Sequence, residues 1–222
     1  MYQNRIVKPV RKTRDDGKER QAAIIETAGK LIAKQGYDKT TSKQICQELG
    51  INLAAVNYHF DSRENLYLEV LRQVYTYLLS VTELNELEGK NLTAEQKIEK
   101  LLNLLENSVK QESNWKIRVW LREILSPSDF AKKIVTEEVL PKLNLMTKIF
   151  SEYTGLSAKD SKTVSLMIGT FAPFFWMLLF QREEVSAISE VIPVNYEKEK
   201  ILAGIKNFVL TGLKQIKAEN RF

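Results

Sequence analysis

Four polar or amphipathic side chains lie close together between residues 52 and 59, and their types are those that bind nucleic acids. They are Asn52, Asn57, Tyr58 and His59. A carboxamide can bind adenine N6 and N7 together, and hydroxyl and imidazole groups can bind phosphate oxygens. The apolar residues around them are Ile45, Leu49, Ile51, Val56 and Phe60. Because these apolar side chains are predicted to pack inward, the polar ones are left facing outward, available to a partner.

Other reactive residue types do not form a site. His59 is the only histidine and Cys46 the only cysteine, so a metal site built on several imidazoles or thiolates is excluded. The sequence has no Gly-rich phosphate loop and no nucleophile elbow, and the acidic pairs at 137–138 and 183–184 are typical of solvated helix surfaces. We therefore expect no enzyme, no metal ion and no cofactor.

The outward-facing residues belong to a pattern of two short helices, predicted over about 42–49 and 53–60. Thr41 is placed to cap the first helix, and Gly50 supplies the backbone freedom that a sharp turn between them needs. Two short helices joined in this way, with a longer helix on each side, form a helix-turn-helix. Its second helix is the one that enters the DNA major groove.

Apolar periodicity predicts the two bracing helices. The first covers about 18–36 and ends at Gly36, and the second begins after a capping Ser62 and runs to about residue 82. Residues 83–93 are predicted to be a loop, which places a domain boundary near 83. Later helices are predicted at about 94–112, 114–126, 128–154 with a kink or break at Pro141, 158–182 and 196–219. The fold class is therefore all-α, because no stretch shows a strand pattern.

Charge is unevenly distributed along the chain. The net charge is +5, and residues 1–75 contain 13 Lys or Arg against 9 Asp or Glu. Residues 1–14 contain five cations and no acid, which suits an arm that lies along a polyanion; a solvated tail is the alternative. We define residues 1–17 as the basic arm. This charged N-terminus and the single cysteine favour a cytoplasmic protein.

A run of 17 uncharged residues, 164–180, raises the question of a membrane. A bilayer crossing needs about 20 predominantly apolar residues, and this run contains serine, threonine, glycine and proline. A helix that is apolar all round can instead be buried between its own domain and a partner subunit. We prefer the buried helix and keep a membrane-tethered protein as a remote alternative.

The sequence resembles the TetR family of bacterial regulators between about residues 20 and 70. The matching features are Gly36-Tyr37, Thr41, Ile45, Gly50-Ile51, Tyr58-His59-Phe60 and Ser62-Arg63-Glu64-Asn65-Leu66. Cys46 stands where alanine is usual and Arg63 where lysine is usual, and both preserve the expected roles. Residues 52–60 and, more weakly, 120–129 are similar to the CecR subgroup of this family.

The resemblance implies DNA contacts for seven side chains. Those expected to bind phosphates are Thr41, Tyr58, His59 and Arg63. Those expected to reach base edges are Asn52 and Asn57. Lys43 is a further candidate for a backbone contact, although a solvated surface side chain is the preferred interpretation for it alone.

With the boundary near residue 83, the resemblance also implies that residues 18–82 form the DNA-binding domain and residues 83–222 an effector-binding and dimerisation domain. The candidate pocket residues are Trp115, Arg118, Trp120, Arg122, Met146, Met167, Phe171, Phe174, Phe175 and Trp176. Glu123 is a further candidate for a polar contact there, and core or interface packing is the alternative for each of them.

Members of this family mostly act as homodimeric repressors on near-palindromic double-stranded operators. Binding of an effector changes the separation of the dimer's two helix-turn-helix units until they can no longer bind the operator together. The expected function is therefore a repressor released by a small, largely apolar effector. An activator, or a regulator controlled by a partner protein, is the alternative.

Overall fold

The computed structural model describes residues 14–89, 91–110, 114–180 and 197–220. Within these ranges every regular element is a helix, which confirms the predicted all-α class. The described residues up to Val70 form one compact unit, and those from Leu71 onward form a second, larger one. Residues 1–13 of the basic arm lie outside the described residues.

The first unit contains α1 (Arg14–Gln35), α2 (Ser42–Leu49), α3 (Leu53–Phe60) and the first part of α4 (Arg63–Leu78). The predicted ends of α1 and α2 and the predicted start of α4 are confirmed by local geometry, whereas α4 ends at Leu78, before the predicted end near residue 82. Gly36 has φ of +85° and Gly50 has φ of +64°, in the left-handed region where glycine carries no steric penalty. The Ser62 hydroxyl accepts a hydrogen bond from the Asn65 amide at 3.0 Å, as expected of an N-cap.

The core of the first unit joins the helix-turn-helix to both bracing helices. Its buried apolar side chains include Ile24, Ala28, Ile45, Val56, Phe60, Leu66 and Val70. The predicted inward packing is thus confirmed for Ile45, Val56 and Phe60, whereas Leu49 and Ile51 are half-buried. Because α2 and α3 share this core with their braces, the outer face of α3 is held on a rigid support.

The second unit contains the rest of α4 and the remaining helices. These are α5 (Val81–Gly89), α6 (Ala94–Lys110), α7 (Asn114–Leu125), α8 (Ala131–Ile134), α9 (Leu140–Thr154), α10 (Ser161–Phe180) and α11 (Lys198–Glu219). The core residues that are least exposed include Leu84, Leu101, Leu102, Ile149, Phe150 and Leu202.

The loop predicted over 83–93 is wrong for residues 83–89, which belong to α5. Ser80 and Glu83 form a capping box: the Ser80 amide donates to Glu83 Oε2 at 2.8 Å, and the Glu83 amide donates to Ser80 Oγ at 3.1 Å. Leu84 and Leu87 are buried in the core. The predicted domain boundary near residue 83 therefore falls inside a helix.

The break predicted at Pro141 is a local change of helix type. A π-helical turn, Val135–Val139, connects α8 to α9, and Pro141 lies in the first turn of α9. Proline has no amide hydrogen and its ring clashes with the carbonyl four residues earlier. The wider π turn before it accommodates both effects without ending the helical path.

Helix α10 contains the uncharged run. Ser161–Leu179 is long and apolar enough to cross a bilayer by length and composition alone, and 33% of it is buried. Core helices of soluble proteins meet the same criterion. Its inward face carries Thr163, Met167, Thr170 and Phe174, all buried in the second unit, as predicted for a helix that packs on its own domain.

Candidate nucleic-acid interface and ligand cavity

The start of α2 is fixed by a capping box between Thr41 and Gln44. The Gln44 amide donates to Thr41 Oγ1 at 3.2 Å, and the Thr41 amide donates to Gln44 Oε1 at 2.9 Å. Thr41 is exposed, so its hydroxyl lies at a solvent-facing helix N-terminus, where backbone N–H groups favour an anion. Lys43, also exposed, lies in the first turn of the same helix.

Asn52 has a structural role that the sequence analysis did not include. It is the N-cap of α3, and its Oδ1 accepts a hydrogen bond from the Ala55 amide at 3.0 Å. A bidentate contact to adenine uses both the oxygen and the nitrogen of the carboxamide. Since the Asn52 oxygen already serves the cap, Asn57 is the stronger candidate for a base contact.

The outer face of α3 carries three of the predicted contact residues. Asn57 is exposed, Tyr58 is 84% exposed and His59 is half-buried, with the Tyr58 and His59 rings edge to face at 5.2 Å between centroids. Val56 and Phe60 are buried and anchor the helix in the core. The helix therefore presents one carboxamide, one phenol and one imidazole to solvent.

Leu53 belongs to this surface and was missed by the sequence analysis. It is 49% exposed and lies four residues before Asn57, on the same side of α3. An apolar side chain next to a base-reading carboxamide can contact the methyl group of thymine. The i, i+4 spacing from Asn57 was the available signal.

Arg63 is held in place by aromatic stacking and a backbone contact. Its guanidinium lies 4.2 Å from the centroid of the Tyr37 ring, and its Nη1 donates to the Thr40 carbonyl at 3.0 Å. Tyr37 in turn stacks on Tyr67 at 4.4 Å between centroids. Burial raises the pKa of the Tyr37 hydroxyl, and the nearby Arg63 charge opposes this rise. Arg63 therefore fixes the start of α4 and carries a positive charge beside the candidate interface.

An Arg63→Ala variant is expected to lose stability and DNA affinity together. Removing the stacked cation and its hydrogen bond should lower the free energy of unfolding by roughly 1–2 kcal/mol. Loss of a phosphate contact should weaken binding to operator and random DNA alike and reduce the salt slope by about one. Chemical denaturation and salt titrations measure the two effects. Lys43→Ala is the control, since an exposed lysine should leave stability unchanged; an equal stability loss there would contradict the bracing role.

The second unit contains a partly open cavity of about 640 Å³, a size that suits a small organic ligand. Six of the ten predicted pocket residues line it, namely Trp120, Met146, Met167, Phe171, Phe174 and Phe175. The Trp120 and Phe175 rings meet edge to face at 4.5 Å between centroids. The sequence analysis missed three polar lining residues, Tyr75, Lys142 and Thr147.

The other four predicted pocket residues do not line this cavity. Trp115 is buried elsewhere, Arg118 is half-buried, Arg122 is exposed and Trp176 is 53% exposed. Glu123 is buried, but its carboxylate accepts hydrogen bonds from the amide and the hydroxyl of Ser128, which fixes the turn after α7. Within the described residues no group of three or more His, Cys, Asp or Glu side chains could hold a metal ion.

Comparison with known protein families gives two matches. Residues 24–70 match the family described as bacterial regulatory proteins, tetR family. Residues 94–182 match the C-terminal domain of the HTH-type transcriptional dual regulator CecR. The first match covers the helix-turn-helix, and the second covers most of the helices that line the cavity.

Two relatives and one solved structure are similar to the chain. Over 63 residues it is 33% identical to IcaR of Staphylococcus aureus, a biofilm operon icaADBC HTH-type negative transcriptional regulator, covering 28% of this chain and 34% of IcaR. It is 25% identical to CecR of Shigella flexneri, an HTH-type transcriptional dual regulator, covering 67% of this chain and 70% of CecR. A putative transcriptional regulator from Pseudomonas aeruginosa PAO1 has a TM-score of 0.67 at 14% identity, covering 95% of this chain and 98% of that one.

The match to IcaR thus spans about a third of that relative's length. It is confined to a stretch the size of the helix-turn-helix unit, whereas the match to CecR extends through most of both chains. The likeness to the solved structure shows the fold.

Proposed function

The chain belongs to the TetR family of bacterial regulators, and we propose that it is a homodimeric, cytoplasmic repressor that binds operator DNA through α3. A small, largely apolar effector bound in the cavity of the second unit releases it. The observation that supports DNA reading most directly is the outer face of α3, where Asn57 and Tyr58 are exposed on a helix anchored by Val56 and Phe60.

The mode of regulation is proposed from the relatives. IcaR is named a negative regulator and CecR a dual regulator. The second name favours one further candidate function, an activator or a protein that both represses and activates. A transcription assay with purified RNA polymerase and the selected operator separates these candidates: a repressor lowers transcript yield, and an activator raises it.

Selection of bound sequences from a random DNA pool tests the proposal. The expected product is a near-palindrome whose half-sites are spaced by whole turns of the double helix, because the two reading helices of a dimer are related by a twofold axis. Recovery of no enriched sequence from a folded dimer would contradict operator recognition.

The proposed dimer interface is formed by α10 and α11. These helices carry four exposed large apolar side chains, Trp176, Phe208, Val164 and Ile168, of which the last two also line the cavity. A bundle of two helices from each subunit would cover them. Gly169, Gly204 and Gly212 leave open space at their Cβ positions, which permits close approach of a partner helix. The helices predicted from the sequence over 158–182 and 196–219 also included residues 181–182 and 196, which lie outside the described residues.

Deletion of residues 1–14 is expected to weaken DNA binding without changing base preference. The deletion removes five cations that can bind phosphates or an adjacent minor groove. The slope of log affinity against log salt should therefore become shallower by up to about 0.9 for each phosphate that the arm neutralises. A variant with the five cations replaced by glutamine is the control for chain length. An unchanged slope in both would show that the arm does not contact DNA.

A further inference from the structure

We infer that the cavity of the second unit selects an amphipathic carboxylate, with an apolar body against the aromatic wall and its carboxylate paired with Lys142. This inference rests on the proposed function, because it specifies the chemical class of the effector. The cavity is apolar apart from a few polar side chains, and Lys142 is the one cation that lines it among the described residues.

The environment of Lys142 is unusual for a charged side chain. It is 6% exposed, and its ammonium donates a hydrogen bond to the Tyr75 carbonyl at 2.5 Å. No carboxylate of the described residues forms an ion pair with it. Burial lowers the pKa of the Lys142 ammonium, and the Glu138 and Glu83 carboxylates oppose this shift from a distance. The ammonium therefore retains donor capacity toward the cavity, since it has three N–H groups and one assigned acceptor.

Lys97 is a second buried lysine of the same unit, and it serves as a comparison for Lys142. It is 7% exposed and donates to two carboxylates, Glu152 at 2.6 Å and Glu88 at 3.2 Å. A buried cation is costly unless an opposite charge compensates it. Lys97 has that compensation from two ion pairs, whereas Lys142 has only the more distant Glu138 and Glu83 carboxylates among the described residues. A ligand carboxylate in the cavity would supply the missing charge.

The apolar lining of the cavity determines which apolar groups of a ligand can bind there. Trp120, Phe171, Phe174 and Phe175 form an aromatic wall, with methionine side chains beside it. Such a surface binds alkyl chains and flat rings through apolar contact and gives little directional selectivity. Lys142 is then the polar group that fixes orientation, because the Thr147 hydroxyl, which also lines the cavity, already donates to the Leu143 carbonyl at 2.6 Å.

The test compares matched acids and alcohols on the full-length protein by isothermal titration calorimetry near neutral pH. Decanoate is paired with decan-1-ol, and 2-naphthoate with 2-naphthylmethanol, so that each pair differs in charge but little in apolar body. In the wild type, at least one acid should bind about tenfold or more tightly than its alcohol, as expected for a charge-assisted hydrogen bond in a desolvated site.

In Lys142→Met, the ratio of the alcohol's dissociation constant to that of its matched acid should fall close to one. The alcohols should bind as they do to the wild type. Methionine of similar length in place of a buried cation is expected to be tolerated, and circular dichroism checks the fold. Lys133→Met, at an exposed position outside the cavity, should keep the wild-type preference. The wild-type comparison alone remains decisive should Lys142→Met fail to fold.

Three results would overturn the inference: alcohols binding wild type as tightly as acids, a preference that survives in Lys142→Met, or no binding of any probe at millimolar concentration. Operator binding, measured separately without probes, decides the proposed function. A protein that binds its operator and releases it with neutral apolar compounds would keep that function and refute carboxylate selection. A protein that binds carboxylates through Lys142 but no operator would support carboxylate selection and refute the proposed function.

Discussion

A Phe208→Glu variant is expected to be a folded monomer at micromolar concentrations at which the wild type is a dimer. Phe208 is 74% exposed on α11, so its ring contributes little to the packing of its own subunit. Burial of one phenylalanine side chain contributes about 1.5–3 kcal/mol, and a twofold interface contains two copies. The dimer dissociation constant should therefore rise by roughly 10²–10⁴-fold, and more if the two carboxylates are desolvated.

Sedimentation velocity measures the change, and two other substitutions on α11 serve as controls. Lys214→Glu places a carboxylate about 120° around the helix from Phe208 and should leave the dimer intact. Leu213 is 2% exposed in the core of the second unit, so Leu213→Glu should unfold the subunit rather than separate two folded ones. Because a monomer spans only one half-site, Phe208→Glu should also bind the operator far more weakly. A Phe208→Glu dimer would place the interface elsewhere.

Phe208 and Leu213 show that apolar periodicity predicts a helix but does not predict which of its apolar side chains are buried. Both belong to the apolar stripe of the last helix, and periodicity alone treats them alike. Which of the two faces the subunit's own core depends on the packing of α11 against α10, which only the three-dimensional structure gives. The same is true of Trp176 and Phe174, two positions apart on α10, of which the first is exposed and the second buried.

Local signals allowed the helix ends of the first unit to be predicted. Gly36, Thr41, Gly50 and Ser62 each act through one turn of backbone, so their effects can be inferred from neighbouring residues. The helix α5 was missed because its glutamates, asparagine and glycine suggested a loop. It is stabilised by the Ser80 capping box and by the burial of Leu84 and Leu87 against distant helices.

Some site residues could likewise be predicted from local sequence, and others could not. Exposure of Tyr58 follows from the 3.6-residue period of α3, which places it nearly opposite Val56 and Phe60. Asn57 lies about 60° from Phe60, and its exposure was predicted from its polar side chain. The stacking of Arg63 on Tyr37 joins residues separated by a whole helix-turn-helix and has no local signal. Lys142 was missed because lysine is rarely buried, and its bond to the Tyr75 carbonyl spans 67 positions.

Asn57→Ala is expected to weaken operator binding strongly and to relax base preference at one position in each half-site. A bidentate carboxamide contact is worth about 1–3 kcal/mol of discrimination. The substitution removes this contact from both subunits of a symmetric dimer, so binding to a palindromic operator should weaken by roughly 2–6 kcal/mol. The fold should be unaffected, because the Asn57 side chain is exposed; its backbone carbonyl still accepts the bond from the Asp61 amide that ends α3.

Two neighbouring substitutions separate base reading from other effects. Tyr58→Phe removes one exposed hydroxyl and should cost about 0.5–1.5 kcal/mol per half-site, equally on operator and random DNA. Asn52→Ala removes the N-cap of α3 and should lower stability by about 1 kcal/mol, with a general loss of DNA affinity. Only Asn57→Ala should change the selected sequence, as measured by operator selection with each variant at matched helical content.

Retention of both affinity and base preference by Asn57→Ala would rule out its base-reading role. The remaining candidates on the same surface are then Leu53, through a thymine methyl, and the amide nitrogen of Asn52. A Leu53→Ala variant distinguishes these two. Because it shortens the apolar side chain without disturbing the cap, preference should relax only at a thymine position if Leu53 reads the groove. If neither substitution alters the selected sequence, recognition relies on DNA shape and phosphate contacts, and the preference should follow the flexibility of base steps that α3 does not touch.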